Sequence, residues 1–365
     1  MTIRSHAGRA GLLCIMLAGA AFAAPASRHH APAAKPATGP SIVLRGDHST
    51  TRIYEDLAKA FEKAGEGRVE VQPFSTISGL DAVHAGTADV AASARAAMPG
   101  RVEEQGTNFY PVAWDALVPI VEAANPVSNI TLKQLHDVYL GRITNWKDLG
   151  GRDAPINLDG VAAPLDGVEY STRLLLFHYG DQNVSVSRMY VNTEKLEEDI
   201  ELNANGLGMS TLSGVMHNPK VRMLSVEGVR ASTATIADGS YPLYSAIYLA
   251  ARSDGTHNAE VEKFVAFAES DAGKAILRQQ GLVPNADAPD LSTTKQDARI
   301  AFVEARLKPP MLMVGGRPVS APNATLDMLT RESPKSPETQ KARVDAARLK
   351  AEKQPKADPP ADDGG

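Results

Sequence analysis

The chain has 365 residues, a formal net charge of −5 at pH 7 and a single cysteine. This length is enough for two modest domains, each burying its own hydrophobic core. The mildly acidic balance argues against the basic face that a nucleic-acid-binding protein needs, so we predict no nucleic-acid partner.

The first 23 residues show the three parts of a secretory signal peptide. Arg4 and Arg9 form a short basic region, and the apolar run at 11–23, "GLLCIMLAGAAFA", is too short to span a bilayer. The run ends in the small-x-small motif "AFA", which predicts cleavage near Ala23. The order of the segments argues against a lipoprotein anchored at Cys14, because most of the apolar run lies after the cysteine and not before it. We therefore expect a periplasmic or secreted protein.

Cleavage near Ala23 would leave no cysteine and would change the formal net charge to −7, because two arginines leave with the signal peptide. A chain without cysteine has no disulfide and no thiolate nucleophile or thiolate metal ligand. Residues 24–40 are rich in Ala and Pro and are predicted to be a flexible linker. Residues 331–365 have no aromatic residue and are predicted to be a disordered tail.

Apolar periodicity predicts an α/β organisation from Ser41 onward. In chain order we predict a strand at 41–45, a helix at 51–65, a strand at 68–74, a short helix at 79–86 and a strand at 88–94. Strands and helices that alternate in this way are typical of a doubly wound sheet. Further segments of the same α/β pattern are predicted at 116–123, 156–162, 171–180, 195–206, 207–212 and 221–226. A strand at 241–252 and helices at 259–269 and 271–280 follow them.

The segment "ITLKQLHDVYLGRITNWKDLGG" at 130–151 is the most distinctive in the chain. Thr131 is a predicted helix N-cap, and Gln134 completes a capping box with it. Ile130 and Leu135 are placed to form a hydrophobic staple, and Gly141 supplies the left-handed stop. Trp146 is predicted to anchor a short turn, because tryptophan more often packs in a core than binds a ligand.

This segment closely resembles the helix-Gly-Ile-Thr-Asn-Trp block of the periplasmic phosphate-binding proteins that feed ATP-driven phosphate importers. The resemblance runs from about Val43 to Pro284 and implies an α/β chain with the type II periplasmic-binding-protein fold, in which two doubly wound α/β lobes are joined by two hinge strands. The implied domains are lobe 1 at 41–115 plus 241–285, lobe 2 at 116–240, a C-terminal extension at 286–330 and the tail.

Three predicted helix starts carry groups that suit an oxyanion. Free N–H groups, the helix dipole and hydroxyl donors favour negative charge there, and doubly wound sheets place ligands at the carboxyl ends of strands. The candidate residues are Ser49, Thr50 and Thr51 in the first, Thr76, Ser78 and Gly79 in the second, and Ser171, Thr172 and Arg173 in the third. The family resemblance adds Ser93 and Arg95, in the segment "GLDAVHAGTADVAASAR".

Two departures from the family pattern concern the ligand. Ala94 stands where relatives commonly carry an acidic residue that accepts a hydrogen bond from protonated phosphate. Relatives also carry an arginine upstream of the segment that matches "YSTR", and "PLDGVEYSTR" has none before Arg173. In the family these two groups pair, so losing both avoids a buried unpaired charge. Anion binding is thus predicted more firmly than phosphate selectivity.

We predict a periplasmic solute-binding protein that captures phosphate or a related oxyanion by hinge closure, for delivery to the membrane permease of an ABC importer. No cofactor, metal or catalytic residue is predicted. One alternative is a secreted interaction or sensing module that kept the fold without transport. Another is a secreted phosphate-ester hydrolase using Ser171, His178 and Asp181, or Ser49 with His48, although the chain has no Gly-x-Ser-x-Gly or His-Glu-x-x-His motif.

Overall fold

The computed structural model describes residues 41–98, 100–163, 165–307, 312–314 and 317–319. The predicted signal peptide, linker and tail lie outside these residues. The predicted C-terminal extension is described to Leu307 and in two short strands beyond it.

The described elements follow the predicted strand–helix alternation. The strands are β1 (Ser41–Asp47), β2 (Arg68–Phe74), β3 (Val90–Ser93), β4 (Thr107–Glu122), β5 (Asn129–Ile130), β6 (Asn157–Val161), β7 (Arg188–Tyr190), β8 (Gly206–Thr211), β9 (Val221–Met223), β10 (Ser225–Val226), β11 (Tyr244–Arg252), β12 (Val283–Pro284), β13 (Leu312–Val314) and β14 (Arg317–Val319). The helices are α1 (Thr51–Lys63), α2 (Thr76–His84), α3 (Leu132–Tyr139), α4 (Gly167–Phe177), α5 (Thr193–Ile200), α6 (Leu212–Val215), α7 (Thr233–Ala237), α8 (Asn258–Glu269), α9 (Asp271–Gln279) and α10 (Thr294–Leu307).

The main sheet has the strand order β2-β1-β3-β11-β4-β8-β6-β7, with β9 and β12 also paired to β4. β1 is parallel to β2 and β3, and β6 is parallel to β7 and β8. Strand β4 lies in the middle of the sheet and connects its two sides. Residues 107–116 of β4 pair with β11, and residues 117–120 pair with β8. We call the β2-to-β11 side the first half and the β8-to-β7 side the second half.

The sheet carries two large hydrophobic cores. In the first half, Leu44 and Leu57 are buried between the sheet and α1, and Phe61 packs edge-on against Phe264 of α8 with ring centroids 5.3 Å apart. The second core contains residues of β4, β8, α3 and α4. The second core also includes Trp114 of β4 and Tyr244 of β11, so it extends to the strands that join the two halves.

The capping prediction for α3 is confirmed. The Thr131 side chain accepts a hydrogen bond from the Gln134 amide at 3.1 Å, and the Gln134 side chain accepts one from the Thr131 amide at 2.9 Å. Ile130 and Leu135 are fully buried, and Gly141 has a φ of 70°. This reciprocal cap and the left-handed stop fix both ends of the helix.

Trp146 is part of the scaffold, as predicted. Its side chain is 2% exposed, and its indole N–H donates to the Asn205 carbonyl at 3.0 Å. Asn145 caps the short turn at Trp146–Leu149, and Gly150 ends it in the left-handed conformation. The segment that identifies the family by resemblance therefore contributes packing to the second half.

Two helices begin earlier than the sequence predicts. Helix α2 begins at Thr76 because Ser75 is the N-cap, so the predicted start at Gly79 is late. Helix α4 begins at Gly167, and the prediction that Ser171 and Thr172 open it is wrong by about one turn. Asp166 takes the N-cap position there, and the Tyr170 amide already donates to the Asp166 carbonyl at 2.7 Å.

Helix α10 lies in the predicted C-terminal extension and packs on the second half. Val303 and Leu307 are buried in the second core, and the Lys295 ammonium donates to the Ala237 carbonyl at 2.8 Å. Across the part of the chain that the structure describes, no helix has both the length and the apolar character needed to cross a membrane.

Candidate functional site

The turn after β1, the start of α2 and the start of α4 meet between the two halves. Strands β1 and β2 are parallel neighbours, so their carboxyl ends bring the first two segments to one edge of the sheet. The Thr76 hydroxyl donates to Asp47 Oδ2 at 2.9 Å. Across the cleft, the Ile77 amide donates to Asp166 Oδ1 at 3.0 Å. These contacts define the candidate site.

The carboxylate of Asp47 lies at the centre of the predicted donors. It accepts hydrogen bonds from the Ser49 amide at 3.0 Å, the Ser49 hydroxyl at 2.6 Å and the Thr76 hydroxyl at 2.9 Å. Asp47 is 3% exposed, and Thr50 donates its hydroxyl to the Asp47 carbonyl at 2.9 Å. Hydroxyl and amide groups that suit an anion therefore converge, and the anion they hold is a side chain of the protein itself.

Gly167 closes the site from the second half. A Cβ atom at this position would lie 2.5 Å from Asp47 Oδ2 and 2.6 Å from both Ala94 Cβ and Thr76 Oγ1. Only a glycine fits against such close neighbours. The Ser171 hydroxyl adds a contact between the halves by donating to the Ala94 carbonyl at 3.0 Å. The cleft is therefore closed on Asp47.

Arg95 is held behind the site by an ion pair. Its guanidinium is 1% exposed, lies 2.5 Å from the Glu104 carboxylate and donates through Nε to the Leu165 carbonyl at 2.8 Å. This positive charge is balanced by a buried carboxylate in the described structure. The predicted contact of Arg95 with a ligand stays a prediction.

Arg173 is held in the same way. It is fully buried, and its Nε donates to Glu169 at 2.7 Å while Nη1 donates to the Gln182 carbonyl at 2.9 Å. A bidentate contact between Arg173 and a bound anion would require the buried pair with Glu169 to break, which is costly.

Three other residues predicted to bind the ligand, Ser78, Gly79 and Ser93, contact other parts of the protein. Ser78 completes the α2 capping box with Ser75, and Gly79 lets α2 approach β1, since a Cβ there would lie 2.3 Å from the Arg45 carbonyl oxygen. The Ser93 hydroxyl donates to the Arg95 carbonyl at 2.7 Å.

The hydroxyls of Thr51 and Thr172 are buried and have no hydrogen-bond partner among the described residues. An unpaired buried hydroxyl costs free energy unless a ligand or water satisfies it. Of the predicted set, then, Ser49, Thr50 and Thr76 surround Asp47 directly, and Ser171 contacts the neighbouring Ala94.

The site is acidic. Burial and the nearby charge of Asp47 together raise the pKa of Asp166 to about 7. Burial also raises the pKa of Glu197 to about 7, and the charge of Asp47 adds to that effect. Asp166 therefore takes up a proton near neutral pH, and in that form a carboxylic acid can donate a hydrogen bond to an oxyanion instead of repelling it.

Asp47 and Asp166 were not among the residues singled out from sequence. The signal was present in "GDHST", where an acidic residue opens the Ser/Thr turn, and in "PLDG", where Asp precedes a helix-starting Gly. The absence of an arginine before Arg173 is visible in the sequence, whereas the position of the Asp166 carboxylate in the site is visible only in the structure.

The arrangement contains neither a metal centre nor a nucleophilic triad. Within the described residues, no group of three or more His, Cys, Asp or Glu side chains could hold a metal ion. The Ser171 hydroxyl donates to a backbone carbonyl, not to a histidine.

Comparisons with known proteins show which proteins this chain resembles. A family model described as a PBP superfamily domain matches residues 31–162. The phosphate-binding protein PstS of Bacillus subtilis (strain 168) is 26% identical over 270 residues, which cover 68% of this chain and 81% of that protein. The protein SphX of Synechococcus elongatus is 25% identical over 263 residues, covering 67% and 77%.

Solved structures show the same fold. An ABC-type phosphate transport receptor from Vibrio cholerae aligns with a TM-score of 0.53 at 27% identity, covering 66% of this chain and 99% of that one. A phosphate ABC transporter substrate-binding protein from Clostridium perfringens, solved with bound phosphate, aligns with a TM-score of 0.61 at 24% identity, covering 67% and 99%. The predicted type II periplasmic-binding-protein fold is confirmed.

The relatives are named as a phosphate-binding protein and a substrate-binding protein, in agreement with the prediction of a non-enzymatic protein. Resemblance in the 130–151 segment, the matched family model and the aligned relatives agree with one another. Over about two thirds of its length the chain is therefore similar, at 26–27% identity, to a phosphate-binding protein and a phosphate transport receptor.

Proposed function

We propose that this protein is a periplasmic or secreted solute-binding protein that captures phosphate or a related oxyanion in the cleft between its halves. The lobes are 41–115 with 241–285, and 116–240, and their closure retains the ligand. The bound anion is delivered to the membrane permease of an ABC importer. The names of the relatives support this role, since they include phosphate-binding proteins and a phosphate transport receptor.

The observation that carries the proposal is the convergence of donors on the Asp47 carboxylate. An amide and two hydroxyls from two strand ends hold two carboxylate oxygens at 2.6–3.0 Å. A phosphate oxygen is an acceptor with similar requirements, so the same donors suit a tetrahedral oxyanion. Asp47 acts as an internal substitute for the ligand in the closed form, and an incoming anion must displace its side chain.

Displacement requires the halves to separate. Gly167 leaves no space beside Asp47 Oδ2, and the contacts from Ile77 to Asp166 and from Ser171 to Ala94 bridge the cleft. Opening breaks these few hydrogen bonds, each of which contributes about 0.5–1.5 kcal/mol net. In the open form the Asp47 side chain can rotate away and leave the Ser49 and Thr76 donors to an external anion.

Calorimetric titration tests the proposal. The mature chain would be titrated with phosphate, sulfate, molybdate and methylphosphonate at pH 6 and pH 8. We expect saturable binding of at least one anion, stronger at pH 6 because protonated Asp166 no longer repels it. If none of these anions gives heat at millimolar concentration at either pH, oxyanion capture is wrong.

A second candidate is an interaction or sensing module that no longer binds a small anion. It is favoured by one observation, namely that the donors are already satisfied by Asp47. Replacement of Asp47 by Ser distinguishes the two. A capture protein regains or strengthens anion binding when the internal carboxylate is removed, whereas a module that has lost the site gains none.

A further inference from the structure

A second cavity lies between α4 and α10, and none of the predicted anion-site residues lines it. Its volume is about 240 Å³. Apolar side chains form much of its wall, and two of them are unusually exposed for their size, with Leu174 and Ile300 each 38% accessible. The apolar lining residues are Leu174, Leu175, Ile300 and Val303. An exposed apolar surface of this kind around a concave site is typical of ligand binding.

Arg299 supplies a cation to this cavity that has no acidic partner. Its guanidinium stacks on the Tyr244 ring at 4.1 Å and donates to the Tyr244 carbonyl. Its Nε is buried without a hydrogen-bond acceptor, and Arg299 forms no salt bridge within the described residues. A largely buried guanidinium charge without a carboxylate partner is costly, so a carboxylate from a ligand would stabilise it.

Two further polar side chains line the same cavity. Glu304 makes no ion pair or hydrogen bond with any described residue, although its charge acts on His178. The Nε2 of His178 is buried and has no hydrogen-bond partner in the described structure. The cavity therefore combines one unpaired cation, one unpaired anion, one unpartnered ring nitrogen and an apolar wall.

We propose that this cavity binds a small zwitterion with an apolar substituent, the chemical class of the apolar α-amino acids. The ligand carboxylate pairs with the Arg299 guanidinium and the ligand ammonium pairs with Glu304. The apolar substituent packs against Leu174, Ile300 and Val303.

A zwitterion fits better than a simple ion because it satisfies both charges. A plain carboxylate would be repelled by Glu304, and a plain amine would be repelled by Arg299. The size also agrees, since an apolar cavity of about 150 Å³ binds benzene and about 240 Å³ leaves room for the charged end of an amino acid. This site is separate from the proposed oxyanion cleft and does not depend on it.

Calorimetry with four probes tests the chemical class. The mature chain would be titrated at pH 7 with L-phenylalanine, L-leucine, 3-phenylpropionate, which lacks the ammonium, and phenethylamine, which lacks the carboxylate. We expect an amino acid to bind at least tenfold more tightly than either single-charge analogue. Equal binding of 3-phenylpropionate and L-phenylalanine, or no binding of either amino acid at millimolar concentration, would overturn the proposal.

Three variants test the location. Glu304→Gln removes the partner of the ammonium, and Leu174→Trp fills the mouth of the cavity, so each is expected to raise the dissociation constant at least tenfold. Leu202→Trp is the matched control, because Leu202 is 85% exposed and does not line the cavity. Circular dichroism confirms that each variant is folded. Amino-acid binding that is unchanged in Glu304→Gln and Leu174→Trp would show that the ligand binds elsewhere, and the proposal would be wrong.

Discussion

At the scale of single residues, Asp47 occupies the position where an external anion is expected. Its two carboxylate oxygens hold Ser49 and Thr76, two of the residues predicted from sequence as anion donors. This is an intramolecular competition between a side chain and a ligand. The strength of this competition depends on the effective local concentration of the Asp47 carboxylate, which is part of the chain and always present.

We predict that Asp47→Ser increases phosphate affinity by about tenfold or more. The substitution removes both the competing carboxylate and its repulsion of the anion, and tenfold corresponds to about 1.4 kcal/mol. Isothermal titration calorimetry measures the change. Asp148→Ser is the control, because Asp148 is an exposed carboxylate whose removal changes the net charge equally. Equal gains in both variants would mean that only net charge matters.

Asp166 is expected to give the proposed anion site a pH dependence. Its pKa, raised to about 7 by burial and by Asp47, means that it is mostly protonated at pH 6 and mostly ionised at pH 8. Ionisation adds a negative charge beside the cleft, so we expect anion affinity to fall as pH rises through 7. Asp166→Asn should flatten this dependence. Comparison of the variant with the wild type cancels the ligand's own titration, and identical pH profiles would contradict the assignment.

Asp159 is expected to reduce stability at alkaline pH. Burial, the charge of Asp199 and a side-chain hydrogen bond with Asp199 raise the pKa of Asp159 to about 8. An unfolded Asp ionises near pH 4, so the folded state binds the extra proton between these values and stability falls as pH rises through the window. Asp159→Asn should therefore be more stable than the wild type at pH 9, by about 1–3 kcal/mol.

Urea unfolding at pH 5 and pH 9 measures this difference. The advantage of Asp159→Asn should grow from the lower to the higher pH. Asp153→Asn, at an exposed carboxylate of the same half, is the control. An advantage of the same size at both pH values would show that ionisation of Asp159 is not the cause.

Residue-scale features were the hardest to predict from sequence. Ser49, Thr50 and Thr76 could be chosen because hydroxyls at helix starts have a local signature. Asp47 could not, since an acidic residue in a turn is usually an ordinary cap. Its role depends on Thr76 and Gly167, which come close only in the folded chain.

At the scale of elements, α3 and the turn around Trp146 show how a distinctive segment can be structural. Trp146 is 2% exposed and belongs to the second core. We expect Trp146→Ala to reduce the free energy of unfolding by about 3–5 kcal/mol while leaving intrinsic anion affinity nearly unchanged. Chemical denaturation and calorimetry on the folded variant check the two parts. A large loss of affinity in folded protein would place Trp146 at the ligand.

The helices and strands could be predicted because apolar periodicity is a local property of the sequence. The residues at which helices begin were harder to predict. Strands β1 and β2 and helices α8 and α9 agree with the predicted segments to within a few residues. Helix α4 begins one turn before the predicted start at Ser171, since Asp166 and Ser171 are both good capping residues. Only the packing of Gly167 against Asp47 decides between them.

At the scale of the whole molecule, the closed cleft is held by contacts between loops of the two halves. Leu165 and Asp166 contribute from the second half, and their partners in the first half are Arg95 and Ile77. Strand β4 runs through both halves and is one connection about which they can separate. The sequence resemblance implies this hinge, whereas the contacts of Asp47 and Gly167 across the cleft could not be predicted from sequence because they form only in the folded chain.

We predict that Gly167→Val favours the open form. Its side chain would collide with Asp47, Ala94 and Thr76, each of which lies within 2.6 Å of the added Cβ position. Small-angle X-ray scattering of the mature chain should show a larger radius of gyration for the variant than for the wild type. Gly228→Val, at a glycine with open space around its Cβ position, is the control for steric bulk alone, although its φ of 78° will add local strain.

A crystal structure of Asp47→Ser with phosphate tests the central claim most directly. We expect an anion in the space vacated by the carboxylate, within hydrogen-bonding distance of the Ser49 amide and the Thr76 hydroxyl. Crystals grown with saturating phosphate in which the cleft holds no anion, or in which the anion lies away from Ser49 and Thr76, would contradict the claim.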